Sequence, residues 1–330
     1  MFLKDCLSDM HHLPPVTTYV SPKQEAPVLL IVFNRPKTTA RILEAIRAAR
    51  PRRLFVAADA PRNGFNTPPD EVERCRQVRA IISTVDWNCQ LATRFAETNL
   101  GCQYGPATAL SWFFDQVEAG IVLEDDCLPH PDFFPFCNEL LARYYHDPRV
   151  TIIAGQCYRT TSPPGGYSYG FSRFPLTWGW ASFARTWRLY DPNMVRWPEA
   201  RSAGLLESYF HRPTAIQYWR SILDRVYDGR IQNAWDYKLL LACWLARGLT
   251  AYPARNLVVN IGFGELATHT GEKNPLAPDR LEPLSFPLRH PPYLLRDHTL
   301  DDLLQCRYYQ HSFPDRCRAH LRRILTRWHG

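Results

Sequence analysis

The sequence has no run of about 18 apolar residues, the length a membrane-spanning helix requires. Its opening stretch, MFLKDCLSDMHHLPP, lacks the apolar core of a secretory leader. It has ten cysteines, at positions 6, 75, 89, 102, 127, 137, 157, 243, 306 and 317, but no C-x-x-C pair. That spacing argues against a zinc ribbon or finger and fits scattered thiols in a reducing cytosol. Glycine-rich phosphate loops are missing too. The first apolar run is followed by FNRPKTTA, with neither G-x-G-x-x-G nor G-x-x-x-x-G-K-[ST]. Dinucleotide dehydrogenases and P-loop nucleotidases thereby lose their phosphate cradle. The close glycines of GFGELA (262–267) come late, with no helical pattern after them. There is no internal repeat, no low-complexity tract, no RNP-like motif and no interleaving of basic and aromatic residues, so nucleic acid is not an expected partner.

What is present is enough to build a core. Of 330 residues, 45% are hydrophobic and 13% aromatic, which excludes general disorder. Lys and Arg number 39 against 32 Asp and Glu, and the net charge of +7 suits phosphates, nucleotides or an anionic surface. From residue 27 the pattern becomes regular. Strands are expected at 27–34, 53–59, 89–97, 120–125 and 150–156, and helices at 37–49, 70–82, 105–119 and 131–145. Strands alternating with helices of this length predict an α/β fold with a mostly parallel sheet, whose ligands bind beyond the carboxyl ends of the strands. After residue 157 the texture turns to Gly, Pro, Ser and aromatics, read as a long loop over the sheet edge. Helical patterns return near 181–190, 213–228 and 235–247.

The most specific feature is AGIVLEDDCLPHPDFF (119–134), where the apolar run Ile121–Leu123 ends in Glu124, Asp125 and Asp126. Three carboxylates converging at a strand end repel one another, so a cation, metal or side chain, is expected among them. An acidic lead into the following helix would need only one acid. Hard oxygen ligands suit Mg²⁺ or Mn²⁺, and such an ion would stabilise the charge growing on a nucleoside diphosphate leaving group.

On these residues the chain resembles the GT-A glycosyltransferases. It is similar to the bacterial family-2-like enzymes and more distantly to the N-acetylglucosaminyltransferase I enzymes of N-glycan branching. The resemblance covers about residues 27–270 and rests chiefly on EDDCLPHPDFF. It implies a Rossmann-like GT-A fold, with an N-terminal arm (1–26), a nucleotide-sugar-binding half (27–156), an acceptor-binding and catalytic half (157–275) and a C-terminal extension (276–330). Asp126 would be the metal ligand, and Glu124 and Asp125 would contact the donor's sugar and ribose. FNRP implicates Arg35 in nucleotide binding, VAADAP implicates Asp59 in base contact, and ETNLG places Asn99 and Gly101 at the donor pocket. FPLTWGWASFARTW matches an acceptor loop, so Trp178, Gly179 and Trp180 would meet the acceptor sugar. NAWDYKLLL makes Asp236 the base that deprotonates the acceptor hydroxyl in an inverting transfer. His269, in NIGFGELATHTGE, would complete the metal shell.

The partners so implied are a nucleoside-diphosphate sugar, UDP-sugar favoured, and a glycan or lipid-linked acceptor in surface-polysaccharide assembly. Two other classes share some of these features: a metal-dependent phosphoesterase, and a non-catalytic glycan- or nucleic-acid-binding protein. The tail DRCRAHLRRILTRWHG places Cys317, Leu321, Ile324 and Trp328 on one face, with arginines elsewhere. It is expected either to pack on the domain or to dock on an anionic bilayer. The expected location is cytoplasmic, peripheral to the inner face of the membrane where that helix docks.

Overall fold

The structure is a computed structural model and describes residues 25–64, 67–159, 161–262 and 278–310. The chain opens with strands β1 (Val28–Val32), β2 (Arg53–Ala58), β3 (Gln90–Phe95) and β4 (Ala119–Glu124), separated by helices α1 (Pro36–Ala49), α2 (Glu71–Ile82) and α3 (Gly101–Phe114). It continues through β5 (Cys127–Pro129), α4 (Phe133–Arg143), β6 (Val150–Ala154), β7 (Tyr169–Ser172) and β8 (Trp180–Phe183). Helices α5 (Ala184–Trp187), α6 (Trp197–Ser202), α7 (Leu205–Tyr209), α8 (Pro213–Tyr227) and α9 (Trp235–Leu245) follow. Then come β9 (Leu249–Pro253), β10 (Val258–Asn260) and α10 (His298–Leu303), which runs into a π-helical turn at Leu304–Tyr309.

Eight strands form one sheet in the order β3-β2-β1-β4-β8-β6-β9-β7. The first four are parallel, β8 runs antiparallel between β4 and β6, and β9 returns parallel to β6. The fold is therefore α/β, with a Rossmann-like parallel half and helices on both faces. Successive residues of β1 point to opposite faces, as a period of two demands. Val28, Leu30 and Val32 pack with α1 and α4, whereas Leu29 packs with Phe113 of α3 and Leu239 of α9. Both faces are dry, which is why the strand reads as a continuous apolar run. A separate core of Trp219, Trp244, Phe174 and Phe210 joins α7, α8 and α9 beyond the mixed end of the sheet.

Several expected boundaries are corrected. The stretch expected as helix at 181–190 starts as strand β8, and only the turn Ala184–Trp187 is helical. Trp180–Phe183 are all buried, and an apolar run covered on both faces cannot be told from a buried helix by periodicity. The long loop after residue 157 contains edge strand β7, and β9 was not anticipated. Helix α3 begins at Gly101 rather than 105, because it tolerates Pro106 inside its second turn.

A close approach fixes the entry to β8. The Gly155 amide donates to the Gly179 carbonyl at 2.8 Å, and both residues press on Val258. Gly179 has φ +60°, and a Cβ there would lie 2.7 Å from Val258 Cγ2. Gly179→Ala is expected to lower unfolding free energy by about 2 kcal/mol through strain and overpacking, read as a lower urea midpoint. The contact matters beyond stability. It seats β10, which pairs antiparallel with β5 (Asn260 opposite Cys127) and brings Gly262 over Asp126.

Candidate functional site

The carboxyl ends of β1, β2 and β4 open into a cavity of about 510 Å³, lined by Arg35, Asp59, Asn99, Gly101, Glu124 and Asp125 among others. Six predicted donor-side residues thus meet in one place, as the strand-end rule requires. Arg35 precedes α1, and its Nη1 donates to Asp125 Oδ1 and to Asp126 Oδ2, both at 2.9 Å. The second Asp125 oxygen accepts from the Phe33 amide at 2.9 Å. Burial alone would depress the Arg35 guanidinium. The charges of Asp125 and then Asp126 outweigh that effect and hold its pKa above the usual value. The acids respond in the opposite sense. Burial, then Asp126 and Asp125, pushes Glu124 up to about 8, and burial pushes Asp125 up to about 6 despite Arg35.

The Glu124 shift makes stability depend on pH. The native state keeps this proton up to about 8, whereas the unfolded chain releases it near the ordinary 4.5. Native protein therefore binds more protons in that window, and stability falls as pH rises through it. Glu124→Gln is expected to remove a fall on the order of 2 kcal/mol, measured by denaturation at about pH 5 and about pH 8. The figure is discounted from roughly 1.4 kcal/mol per pH unit because Glu124 is only half-buried.

Asp59 lies at the cavity wall with its carboxylate fully engaged. Oδ1 accepts from the amides of Ala60 (2.8 Å) and Leu100 (2.9 Å); Oδ2 accepts from the Gly101 amide (3.0 Å) and Asn99 Nδ2 (3.2 Å). Four donors fill the lone-pair positions a carboxylate offers. Asp59 therefore builds the loop into α3 and presents that loop's backbone to the cavity. Asn99 also donates to the Ala60 carbonyl at 2.6 Å. Gly101, at φ +70°, supplies a left-handed turn that a side chain would resist.

Asp236 lies exposed in the first turn of α9. Its charge is among those that raise Glu124, which places it within electrostatic reach of the acid triplet. The loop before it is tied to α3: the Asn233 amide, at φ +62°, donates to Gln103 Oε1 at 3.2 Å, and Asn233 lines the cavity. The Trp178–Gly179–Trp180 expectation is corrected at Trp180. That side chain is 1% exposed and stacks on Trp235, centroids 6.4 Å apart, so it is core and cannot meet a sugar. Gly179 is buried against Val258, and only Trp178 keeps exposed surface, its amide donating to Gln156 Oε1 at 3.1 Å.

The fit of a divalent ion can be judged on the donor set. Both oxygens of Asp125 are engaged. Asp126 gives Oδ2 to Arg35 and accepts the Cys127 thiol at 3.4 Å on Oδ1. Among the described residues, no group of three or more His, Cys, Asp or Glu is placed to hold a metal. The acids as arranged form a carboxylate–guanidinium cluster and do not fit a metal site. His269 lies outside the described residues, as does the basic C-terminal tail. Among the described residues no helix is long and apolar enough to cross a membrane, and the described cysteines are free thiols.

Sequence reasoning missed a second set of cavity residues. Arg62, Arg74 and Arg94 line it, with Arg62 paired to fully buried Glu71 and Arg74 to Asp70. Asn34, also lining, donates to Glu71 Oε2 at 3.0 Å. Burial pushes Glu71 up, but its bonds from Arg62 prevail and hold it below the usual carboxylate range. The available signal was the FNR–APR pair at two neighbouring strand ends.

No protein-family model matches the chain, and no curated protein matches it. Solved structures that align with it do so remotely, and three of them are as follows. A UDP-glucose pyrophosphorylase complexed with UDP-glucose is 11% identical, over 51% of this chain and 79% of that one, at a TM-score of 0.27. A 4-diphosphocytidyl-2C-methyl-D-erythritol synthase from Anaerococcus prevotii is 10% identical, over 50% and 75%, at 0.28. The inositol-1-phosphate CTP transferase from T. maritima is 10% identical, over 70% and 86%, at 0.34. Likenesses this remote bear on neither activity nor substrate.

Proposed function

We propose that the protein is an inverting glycosyltransferase, moving a sugar from a nucleoside diphosphate, UDP favoured, to a hydroxyl of a glycan or lipid-linked acceptor. The observation that carries the reading is the acid triplet at the end of β4, whose Glu124 and Asp125 line the cavity, with Asp236 exposed within electrostatic reach of it. The donor's nucleotide lies in the cavity against the Asn99–Gly101 loop, and its diphosphate lies toward Arg35. Glu124 and Asp125 face the sugar and ribose. Asp236 takes the acceptor's hydroxyl proton as the oxygen attacks C1. The C1–O bond to phosphate breaks with its electron pair on the departing nucleoside diphosphate. One carboxylate on the acceptor side suffices for a single displacement, hence inversion.

A phosphoesterase would need the acids for metal, and here Asp125 and Asp126 are both given to Arg35. Calorimetric titration of UDP, GDP and CDP into the full chain with Mn²⁺ present tests the reading. One of the three is expected to bind in the micromolar range, and its sugar conjugates to turn over once an acceptor is added. Binding of none would overturn it, and phosphate released from p-nitrophenyl phosphate would then favour the phosphoesterase.

A further inference from the structure

We infer that the cation answering the acid triplet is Arg35, and that this protein binds a nucleoside diphosphate without a divalent ion. The inference rests on the donor reading above and concerns how the diphosphate's charge is met. Three observations carry it. First, a single guanidinium nitrogen bridges Asp125 and Asp126 at 2.9 Å to each, with the Arg35 side chain only 14% exposed. A metal at Asp126 would have to displace a charged group that is already bonded and largely out of water. Second, the space over Asp126 is occupied. The Ile261 amide donates to its carbonyl at 2.7 Å, and Gly262 lies so close that a Cβ would be 2.6 Å from Oδ2. A small cation that keeps several waters in an octahedral shell has little room on that oxygen. Third, the cavity has further cationic lining in Arg62, Arg74 and Arg94.

Arginine suits the task chemically. Its planar fork pairs with phosphate as readily as with carboxylate, so Arg35 is placed to pass from the acids to the entering diphosphate. Fixed N–H donors aimed at the leaving phosphate stabilise its growing charge as a Lewis acid otherwise would. Arg35 then touches the donor, and the acids hold it in place until the donor arrives.

The test is UDP binding to the full-length protein by calorimetry, in EDTA and in Mn²⁺, for wild type, Arg35→Lys and Arg35→Gln. GDP and CDP are run in the same buffers. Wild type is expected to bind its preferred nucleotide within about twofold in the two buffers. Arg35→Gln is expected to lose roughly 30-fold or more in both, and Arg35→Lys to recover part of that loss. Titration of Mn²⁺ alone, followed by its paramagnetic resonance signal, is expected to show no protein-bound ion at micromolar concentrations. Binding that appears only with Mn²⁺, or a tight Mn²⁺ site in the free protein, would overturn the inference and leave the transferase reading standing. Failure of all three nucleotides in both buffers would overturn the transferase reading, and this inference with it. The wild-type comparison needs no variant, so it decides the question even if Arg35→Gln folds poorly.

Discussion

Asp236→Asn is expected to slow sugar transfer by about 10²- to 10⁴-fold, the range general-base catalysis spans, while nucleoside diphosphate affinity stays within about twofold. The asymmetry follows from where Asp236 sits. It stands exposed in the first turn of α9 and outside the lining of the cavity proposed to hold the nucleotide. Asn keeps the shape and can still accept a hydrogen bond, but it cannot take a proton at neutral pH. An acid in the first turn of a helix also favours the N-terminal end of the dipole, and losing it costs about 0.3–1 kcal/mol of stability. That sets the alternative apart. If Asp236 only decorates the helix, the variant loses a few tenths of a kcal/mol and no turnover. Single-turnover rates and denaturation curves on the same preparation separate the two. A normal rate would remove Asp236 from the mechanism.

The parallel half of the fold was legible because β1, β2 and β4 are buried on both faces and read as plain apolar runs between amphipathic helices. The acid triplet was legible for the same reason, since three carboxylates cannot continue such a run. What could not be read is partnership across the chain. Arg35 and Asp125 lie 90 positions apart, and nothing in either segment says that the expected cation is a side chain. Asp59 illustrates a subtler limit. Its place at a strand end announced a polar role, yet its four donors come from its own loop and from residues forty positions away. Trp180 misled because a tryptophan beside glycine in a loop-like stretch looks available, whereas antiparallel pairing of β8 with both β4 and β6 puts it in the core. Gly179 has a left-handed φ at that entry, and a backbone requirement of this kind is invisible in the residue type alone.

Asp125→Ala is expected to lower unfolding free energy by about 3 kcal/mol at neutral pH, the low end of what breaking a buried ion pair costs. Two opposing effects decide the value. Removing the carboxylate leaves the Phe33 amide without its acceptor and takes from Arg35 one of the carboxylates bonded to it. Each loss counts for about 1–3 kcal/mol when the group is out of water. Against them, one of three mutually repelling acids disappears, which relieves Glu124 and Asp126. The loss prevails because Arg35 stays nearly buried and keeps Asp126 but loses a carboxylate bonded to it at 2.9 Å. The relief has its own signature. Glu124, freed of one neighbouring charge, moves down toward the ordinary carboxylate range, so the fall in stability between about pH 5 and about pH 8 becomes shallower in the variant. Asp125→Asn, which can still accept from Phe33, is expected to lose less. Urea denaturation across that pH range reads all of this at once. A variant as stable as wild type at neutral pH would mean that repulsion among the acids outweighs the Arg35 bridge.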